Sequence, residues 1–568
     1  MSTERDTYDV VVIGGGGAGL AAAITAASLG RSVLVLEHTD KIGGTTAISG
    51  GMVWVPANYK MLEAGLADTT QAAWQYLRTT VPGCENDPRM CAFVARGNEA
   101  VHFFDERTAV KLRPVRRYPD YYPDLPGATA GGRVLEPVPF DAQSLGKDFA
   151  LLRDPLAEFL LFGGMMISRE DIPVFRRMGR SPRALWHVAK LVLRYARQRV
   201  HAHRGTSLVL GNALAARLLR SARDLGVEIV ARASVSKLVT GDGRIAGVEA
   251  TIDGRSATLC ARCGVIVATG GISHFPELRR MYVPRAAGDL SATVAAGASY
   301  AGVELARAAG AAVTPPSAGL NDAKGWWVPV SRFVRRDGSA AVFPHVVTDR
   351  AKPGLIAVNK DGRRFVNEAV SYHEFVRGQL RDPERSVPAW LLCDRAFLWK
   401  YGLGRVRPFA LSVRRYVESG YLKRAATIED LAAAIGVPAL ALADTVRKYN
   451  AAAATGEDPE FGRGSNIYQR HLGDVEHQPN PCVAPIERAP FYAVAVYPAD
   501  LGMAAGVVTD EYARVLTPDG RVIEGLYACG NDMHSIMNGA YPGPGITLGP
   551  ALVFGYIAAS HACQGVAN

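Results

Sequence analysis

The sequence contains no long apolar run, although it has 568 residues of which 48% are hydrophobic. The best candidate, FLLFGGMMI at residues 159–167, is bounded on both sides by polar and charged residues. A helix that crosses a bilayer needs about 20 apolar residues, so we expect none here. The beginning of the sequence also lacks the basic segment, apolar segment and cleavage site of a signal peptide. These absences predict a cytoplasmic protein.

Cysteines are few and scattered along the chain. There are eight, and without a secretory signal such residues are typical of reduced thiols rather than a disulfide framework. Cys260 and Cys263 form a CxxC pair, but no second pair or histidine cluster completes a site, so we expect no metal. The net charge of +10 would suit an anionic partner. No nucleic-acid-binding module is recognisable, so we do not expect that partner to be nucleic acid.

Acidic residues are missing from positions 172–223, where cations accumulate instead. Ser181 followed by Pro182 favours the start of a helix there. The cations of this helix recur every three or four residues, which places them on one face, and Trp186 lies away from it. The segment of about 159–204 therefore predicts a basic amphipathic helix on an anionic membrane surface. A solvated helix packed on its own domain is the alternative. The cations from residue 176 onward are Arg176, Arg177, Arg180, Arg183, Lys190, Arg194, Arg197, Arg199 and Arg204.

The amino-terminal sequence YDVVVIGGGGAGLAAAITAASLGRSVLVLEH has the pattern of a strand, a glycine-rich turn, a helix and a second strand. This unit is typical of dinucleotide binding. Gly14 allows a tight turn, Gly16 lets the backbone approach the pyrophosphate, and Gly19 lets the helix pack close to the sheet. Glu37, at the end of the second strand, can accept hydrogen bonds from ribose hydroxyls. FAD and NAD both bind such a turn, so these residues alone leave the cofactor open.

Three later segments carry a resemblance to a known family. They are DKIGGTTAISGGMVWVP (residues 40–56), GVIVATGG (264–271) and GLYACGN (525–531). They resemble the flavoprotein family that includes the fumarate reductases and 3-ketosteroid dehydrogenases, in which the matching segments wrap FAD. The resemblance implies FAD as the cofactor, with contacts from Gly14, Gly16, Ala18, Gly19, Glu37, Gly44, Thr45, Thr46, Ser49, Gly50, Gly51, Ala268, Thr269, Gly270, Gly530, Asn531, Gly545 and Leu548.

The same resemblance implies an α/β fold in which a Rossmann-like FAD-binding domain is split in the sequence. Residues 1–279 and 483–568 would form that domain, and residues 280–482 would form an inserted α+β catalytic domain. The apolar strand pattern of GLYACG close to the end of the chain agrees with the split, because such a strand needs the amino-terminal sheet as its partner.

The stretch from Ile536 to Tyr556 contains no lysine, arginine or histidine. Fumarate-reductase-type members hold a dicarboxylate with arginine and histidine, so this absence favours a neutral carbonyl substrate. The motifs YPDYYPD (118–124), RFVNEAVSY (364–372) and YPGPG (541–545) instead resemble those of the 3-ketosteroid Δ1-dehydrogenases. Those flavoenzymes desaturate the C1–C2 bond of a 3-oxosteroid.

The resemblance implies catalytic roles for four residues. Tyr541 and the backbone N–H of Gly545 match the two donors that polarise the C3 carbonyl, which is the arrangement that stabilises a developing enolate. Tyr372 matches the base that removes the C2 proton, and Tyr121 matches the tyrosine that hydrogen-bonds to that base. A phenol titrates near pH 10, so the base needs such help to act as phenolate. Two neighbours could replace Tyr121 in this role: Tyr118 and Tyr122.

We therefore expect an FAD-dependent 3-oxosteroid 1-dehydrogenase. It would lie on the inner face of the membrane and pass electrons to a quinone-like acceptor. Two alternatives stay open: another flavin enzyme of this superfamily that acts on a different ketone or in the reductive direction, and a flavin-binding protein whose site is inactive. The oligomeric state is not predicted.

Overall fold

The structure is a computed structural model that describes residues 6–179, 181–294 and 301–564. Arg180 of the basic stretch lies outside these ranges. The strands within them are β1 (Thr7–Ile13), β2 (Val33–Glu37), β3 (Val53–Trp54), β4 (Leu112–Pro114), β5 (Val134–Pro137), β6 (Phe140–Asp141), β7 (Ser207–Leu208), β8 (Glu228–Ala231), β9 (Ala233–Gly241), β10 (Arg244–Ile252), β11 (Arg255–Val267), β12 (Gly325–Val334), β13 (Ala340–Pro344), β14 (Leu355–Val358), β15 (Ala389–Asp394), β16 (Lys423–Ala425), β17 (Phe491–Met503), β18 (Arg514–Leu516) and β19 (Val522–Ala528).

The α-helices in the same ranges are α1 (Gly17–Ser28), α2 (Tyr59–Glu63), α3 (Thr70–Thr80), α4 (Pro88–Arg107), α5 (Asp171–Arg177), α6 (Pro182–Gln198), α7 (Leu210–Asp224), α8 (Pro276–Arg279), α9 (Gly302–Ala308), α10 (Tyr372–Arg381), α11 (Pro383–Ser386), α12 (Arg395–Tyr401), α13 (Arg414–Glu418), α14 (Ile428–Ile435), α15 (Ala439–Ala453), α16 (Ile467–Leu472) and α17 (Leu548–Gln564). Short 3₁₀ helices lie at Gly44–Ile48, Cys84–Asn86, Ala142–Ala150, Ala157–Phe159, Arg285–Ala287, Leu320–Asp322 and Gly530–Asp532.

The largest sheet has the strand order β18-β19-β11-β1-β2-β8. Its central pairs, from β19 to β8, are parallel, while β9 and β10 extend it antiparallel from β11. Strands β1 and β2 are buried runs of valine, isoleucine and leucine, as expected of parallel strands that are covered on both faces. This arrangement confirms the predicted α/β, Rossmann-like core.

Helix α1 follows β1 and is buried from Gly17 to Ala26. It lies against α17, since a Cβ placed at Gly555 would be 2.7 Å from the carbonyl oxygen of Ala18. Small side chains on both helices allow this approach. The first and last helices of the described chain therefore belong to one layer, next to the turn that precedes α1.

The second sheet has the order β13-β12-β17-β15-β14, with β16 paired to β17, and its pairs are antiparallel. Strand β17 lies beyond residue 482, in the stretch that we expected to belong to the FAD-binding domain. A strand's own composition does not indicate which sheet supplies its partners. The division into domains remains a proposal, and the pairing favours a second boundary after Met503.

Helix α6 begins where the sequence predicts. The Ser181 hydroxyl accepts a hydrogen bond from the Ala184 N–H at 3.3 Å, and Pro182 occupies the first turn. This confirms the predicted helix start in the basic stretch. No helix in the described ranges is both long enough and apolar enough to cross a membrane.

Candidate active site

The turn between β1 and α1 leaves open space beside Gly16. A Cβ placed on Gly16 would meet no protein atom within 4 Å. Next to it, the Gly15 N–H donates to Glu37 Oε2 at 2.9 Å, and the Thr39 N–H donates to Oε1 at 2.9 Å. Glu37 is fixed in this way at the end of β2, and a carboxylate has lone pairs left for further donors. The turn therefore presents an open backbone edge beside a fixed acceptor.

The other two predicted turn glycines face protein. A Cβ on Gly14 would lie 2.2 Å from the carbonyl oxygen of Ala268, and one on Gly19 would lie 1.9 Å from that of Gly14. Gly14 also has a φ of +111°, in the region that favours glycine. Close backbone packing thus explains Gly14 and Gly19, whereas the open space beside Gly16 leaves room for a ligand.

The 3₁₀ helix after β2 lies beside the same turn. A Cβ on Gly44 would lie 3.4 Å from Gly16 Cα. Thr46 Oγ1 accepts a hydrogen bond from the Gly17 N–H at 3.2 Å. Two of the predicted cofactor contacts, Gly44 and Thr46, are therefore brought next to the open edge.

The end of this loop is also ordered by its own side chains. Ser49 Oγ accepts from the Gly51 N–H at 3.0 Å, and Thr45 Oγ1 accepts from the Val294 N–H at 3.1 Å. A Cβ on Gly50 would meet no protein atom within 4 Å. Gly50 is thus a second position where open space adjoins bare backbone.

A third open position lies after β11. A Cβ on Gly270 would meet nothing within 4 Å, while its N–H donates to Asp532 Oδ2 at 2.9 Å. Thr269 Oγ1 donates to Asp532 Oδ1 at 2.9 Å. Burial raises the pKa of Asp532 to about 6, although these hydrogen bonds act in the opposite direction. Asp532, which lies in no motif with a predicted role, fixes the predicted contacts Thr269 and Gly270.

The segments before α17 complete the surroundings of the turn. A Cβ on Gly530 would lie 2.8 Å from Ala18 Cβ, and Leu548 Cδ2 lies 3.5 Å from where Gly17 would carry a Cβ. The amino terminus of α17 therefore lies near the start of α1. Both termini offer N–H groups and a positive dipole end, which favour phosphate and other negative charge.

A pocket adjoins Gly530, Asn531 and the first turns of α17. Trp326 lines it, and the indole N–H of Trp326 is buried without a hydrogen-bond partner among the described residues. A buried donor of this kind needs an acceptor. Together with the open positions at Gly16, Gly50 and Gly270, the pocket and the donor fit FAD.

Three predicted tyrosines form a buried cluster, although they come from distant parts of the chain. The ring centroid of Tyr121 lies 5.7 Å from that of Tyr372 and 5.4 Å from that of Tyr541, and the last two rings are also 5.4 Å apart. Each side chain is at most 5% exposed. The structure thus brings together the three motifs that carry the resemblance.

Tyr372 is the first residue of α10, and the side chain of Ser371 caps that helix. The Tyr372 hydroxyl donates to the Tyr541 hydroxyl at 2.8 Å. Burial raises the pKa of Tyr372 well above its usual value, and the neighbouring Tyr541 raises it further. The Tyr121 hydroxyl is buried and has no hydrogen-bond partner among the described residues. Tyr121 is nevertheless close enough to Tyr372 to oppose this rise in the pKa of Tyr372.

The neighbouring tyrosines of the first motif contact other residues. The Tyr118 ring packs on the ring of His471, with 4.6 Å between centroids. The Tyr122 hydroxyl donates to Glu374 at 2.9 Å. The Tyr121 backbone N–H instead donates to the carbonyl oxygen of Pro542 at 3.0 Å, and the Tyr76 hydroxyl donates to the same oxygen at 2.6 Å. These bonds join the first motif to the YPGPG segment and place Tyr121, rather than Tyr122, in the cluster.

Gly545 follows with a φ of +99°, in the region that favours glycine. A Cβ there would lie 2.6 Å from the carbonyl oxygen of Met52. Its own carbonyl accepts from the Trp54 N–H at 3.1 Å. Within the described ranges no acceptor is found for the Gly545 N–H. That N–H is thus available to a ligand.

Other residues of the cluster carried no signal in the sequence. Tyr468 packs 4.9 Å from Tyr121, centroid to centroid, and its hydroxyl is buried without a described partner. The His373 ring lies 5.4 Å from that of Tyr541, and burial lowers the pKa of His373 to about 4. Neither residue belongs to a motif with a recognisable mechanism, so single-sequence reasoning had no way to select them.

Comparison with known proteins agrees with this geometry. Residues 9–548 match the family model described as FAD binding domain. The chain is 39% identical, over 96% of its length and 92% of the relative's, to a 4-oxocyclohex-2-ene-1-carboxylate 5-dehydrogenase of Sinomonas cyclohexanicum. It is 36% identical to a 3-oxosteroid 1-dehydrogenase of Mycolicibacterium smegmatis, over 97% of this chain and 96% of that one.

A solved structure is similar over the whole chain. It is the 3-ketosteroid delta1-dehydrogenase of Sterolibacterium denitrificans in complex with 1,4-androstadiene-3,17-dione, with a TM-score of 0.90, 35% identity, and coverage of 99% of this chain and 100% of that one. The chain therefore belongs to the FAD-binding flavoprotein family that contains the 3-oxosteroid 1-dehydrogenases, and it is an FAD-dependent oxidoreductase.

Proposed function

We propose that the protein is a 3-oxosteroid 1-dehydrogenase that removes hydrogen from C1 and C2 of a 3-oxosteroid. The observation that carries the proposal is the buried cluster of Tyr121, Tyr372 and Tyr541, which the YPGPG segment links to the start of α17. The activities named for similar proteins, among them the Mycolicibacterium and Sterolibacterium enzymes, support the choice of substrate.

Tyr541 and the Gly545 N–H would bind the C3 carbonyl oxygen. The Gly545 N–H has no acceptor within the described ranges, and the Tyr541 hydroxyl, which accepts from Tyr372, keeps its own proton to donate. Both donors lie in a segment stiffened by two prolines. As charge moves onto the oxygen, two fixed donors stabilise the enolate and make the C2 proton more acidic.

Tyr372 would then accept the C2 proton. Its raised pKa opposes ionisation at neutral pH, so the phenolate must gain donors when the substrate is bound. The Tyr121 hydroxyl is close, buried and without a described partner. The position of Tyr372 at the amino terminus of α10 also favours negative charge on Tyr372. FAD, when bound, supplies the acceptor for the C1 hydride.

The decisive experiment mixes the oxidised holoenzyme with androst-4-ene-3,17-dione without oxygen. The flavin absorbance should bleach, and the steroid product should be two mass units lighter. Retained flavin colour with every 3-oxosteroid tested would contradict the proposal.

A second candidate function follows from the Sinomonas relative, whose name specifies a monocyclic oxo acid. A 4-oxocyclohexene carboxylate presents the same reacting unit as a 3-oxosteroid, a ring ketone with a hydrogen on the α and β carbons. The same tyrosines would serve both substrates. The bleaching assay with 4-oxocyclohexanecarboxylate distinguishes this candidate from the first.

We also propose that the segment 159–204 docks on an anionic membrane surface. Ala184 and Val188 face the protein, while Trp186, Leu193 and Val200 are 64%, 54% and 74% exposed. Trp186 and Leu193 are seven residues apart in α6 and thus share one side of the helix, and Val200 follows just after its end. Large apolar side chains presented to solvent in this way disfavour the alternative of an ordinary solvated helix.

Cations flank that exposed apolar row. Lys190 Nζ lies 5.3 Å from the Trp186 ring centroid, and Arg194 and Arg197 are exposed beside it. Each such cation contributes about 1 kcal/mol near an anionic leaflet, and the apolar row can insert among the headgroups. A membrane surface would also give access to apolar steroids and to a lipid-soluble, quinone-like electron acceptor.

The membrane proposal is tested by cosedimentation with anionic liposomes. The triple variant Lys190→Glu, Arg194→Glu and Arg197→Glu should lose most binding, whereas a triple variant with the same change of charge elsewhere, Arg414→Glu, Arg447→Glu and Arg521→Glu, should not. Equal binding of liposomes by both variants would show that α6 is not the membrane-binding element. The reduced flavin should be reoxidised faster by a lipophilic quinone in liposomes than by the same quinone in detergent-free solution. This result would support a quinone-like electron acceptor.

A further inference from the structure

Trp54, the last residue of β3, is fully buried and packs against the YPGPG segment. Its backbone N–H donates to the carbonyl oxygen of Gly545 at 3.1 Å. Its indole nitrogen lies so close to Gly543 that a Cβ placed on that glycine would be 2.6 Å from it. Trp54 therefore contacts, with its backbone and with its side chain, the segment that carries both proposed carbonyl donors.

The indole of Trp54 also reaches the first tyrosine motif. Its N–H donates to Asp120 Oδ1 at 2.8 Å, and Asp120 immediately precedes Tyr121. The Asp120 backbone N–H donates to the Thr129 carbonyl oxygen at 3.1 Å, and the Tyr121 backbone N–H donates to the Pro542 carbonyl oxygen at 3.0 Å. These three hydrogen bonds restrain the direction in which the Tyr121 side chain leaves the backbone.

The Asp120 carboxylate depends on its donors. Oδ2 accepts from the Thr129 N–H at 3.0 Å and from Arg133 at 2.9 Å, whereas Trp54 is the one donor to Oδ1 among the described residues. Burial raises the pKa of Asp120, while Arg133 and Trp54 act in the opposite direction. Without the indole N–H, a buried oxygen would lose its partner, and such a group shifts or takes up a proton.

The other part of this network does not reach the tyrosine motifs. Asp68 accepts two hydrogen bonds from Arg133, at 2.8 and 2.7 Å. The Arg133 and Asp68 side chains are 0% and 1% exposed. The other described donors to Asp68 are the backbone N–H groups of Ala57 and Thr69. The network thus has one part that ends at the tyrosine motifs and an equally buried part that ends elsewhere.

We propose that Trp54 and Asp120 are positioning residues for the reaction. The hydrogen bond between their side chains holds the Tyr121 hydroxyl where it can donate to the proposed base. This inference rests on the proposed desaturation, in which Tyr372 is that base. The rings of Tyr121 and Tyr372 are 5.7 Å apart, centroid to centroid, so a small shift of Asp120 would take the Tyr121 hydroxyl out of reach. A misplacement of about 1 Å can cost about 10²-fold in rate.

The variant Trp54→Phe tests this hydrogen bond, because it removes the indole N–H and keeps the backbone N–H that binds Gly545. In the holoenzyme without oxygen, it should slow flavin reduction by androst-4-ene-3,17-dione about 5- to 10-fold, and no more than Tyr121→Phe does. The FAD content and the dissociation constant of the steroid should change by less than about threefold. The dissociation constant comes from the dependence of the reduction rate on steroid concentration.

A second variant removes the N–H without leaving a cavity. Trp54 is replaced by 3-benzothienylalanine, an isostere of tryptophan that carries sulfur in place of the N–H. It should slow flavin reduction as much as Trp54→Phe does. Because the ring size is kept, this protein should fold and bind FAD even if Trp54→Phe does not.

The double variant of Trp54→Phe with Tyr121→Phe separates positioning from a structural loss. If Trp54 acts through the Tyr121 hydroxyl, Trp54→Phe should slow flavin reduction by less than about twofold once that hydroxyl is absent. A smaller ring that only loosens the core would slow both backgrounds equally. Asp68→Asn is the matched control, since it disturbs the equally buried bond to Arg133. It should lower the melting temperature but slow flavin reduction by less than about twofold.

The outcomes separate the inference from the proposed function. Loss of the Trp54 effect in the Tyr121→Phe background supports the inference. Unchanged flavin reduction in both Trp54 variants, equal slowing in both backgrounds, or equal slowing by Asp68→Asn overturns it. If 4-oxocyclohexanecarboxylate reduces the flavin of the unchanged protein and no 3-oxosteroid does, the proposed function fails alone, and the variants are compared with that ketone. Flavin reduction by neither ketone overturns both.

Discussion

The FAD-binding turn and the tyrosine cluster are assembled in opposite ways. The turn is built from neighbours in the sequence, directly after β1, and one open glycine, Gly16, marks where a ligand approaches. The cluster combines Tyr121, Tyr372 and Tyr541, which are more than 150 residues apart and are joined by contacts between loops. A local motif carries its own geometry, whereas a dispersed site depends on every segment that holds its members in place.

The largest effect is expected in the turn. Gly16 has extended backbone angles that any residue can adopt, so Gly16→Val should fold but purify without FAD and without activity. Gly19→Ala should instead reduce folding, because its Cβ would lie 1.9 Å from Gly14 O. The flavin-to-protein absorbance ratio and the melting temperature of each apoprotein measure the difference. A yellow, active Gly16→Val protein would remove the ligand explanation for that glycine.

The next effect concerns the proposed base. Tyr372→Phe should retain FAD but lose about 10²- to 10⁴-fold in turnover, and exchange of the C2 proton with deuterium should stop. Tyr449→Phe is the control, since Tyr449 is likewise a buried tyrosine, although its hydroxyl has no described partner. Near-native turnover in Tyr372→Phe would show that another residue of the cluster is the base.

Dependence on pH sharpens the same point. A base must be deprotonated to act, and the pKa of Tyr372 is raised above its usual value of about 10. Below that pKa the phenolate fraction falls tenfold for each pH unit. The value of kcat/KM should therefore rise by about tenfold per unit from pH 7 to 9. A plateau below pH 8 would mean that substrate binding lowers this pKa or that another group is the base.

The smallest effect separates two adjacent tyrosines. Tyr121→Phe removes a hydroxyl with no described partner, and turnover should fall by about tenfold if that hydroxyl stabilises the phenolate. Tyr122→Phe removes a hydroxyl bound to Glu374 and should cost less than about threefold in turnover. The reverse order would show that Tyr122 reorients when substrate binds.

The parts that the sequence predicted are those determined by local chemistry. The strand, turn and helix around Gly16, and the start of α6 at Ser181 and Pro182, follow from propensities and capping, and both are found. The three tyrosines were selected because each lies in a motif that resembles a known family. That the three tyrosines are in contact is a property of the fold. The resemblance implied this contact, whereas the spacing of the motifs in the sequence could not predict it.

The parts that were missed depend on contacts between distant segments. In the sequence, Tyr468 and Trp326 look like ordinary core residues. Only the fold shows that their polar atoms are buried without a described hydrogen-bond partner. The pairing of strand β17 with β12, β15 and β16 could likewise not be predicted from the sequence of the strand alone.

The pairing of β19 with β11 has a consequence for synthesis on the ribosome. The edge of β11 that receives β19 becomes available about 250 residues before its partner is made. At about 5–20 residues per second, this delay is on the order of 10–50 s. During that time the nascent chain exposes an apolar strand edge of the kind that promotes aggregation. Slow translation or limited chaperone capacity should therefore reduce the yield of this protein more than that of a flavoprotein whose central sheet is contiguous in sequence.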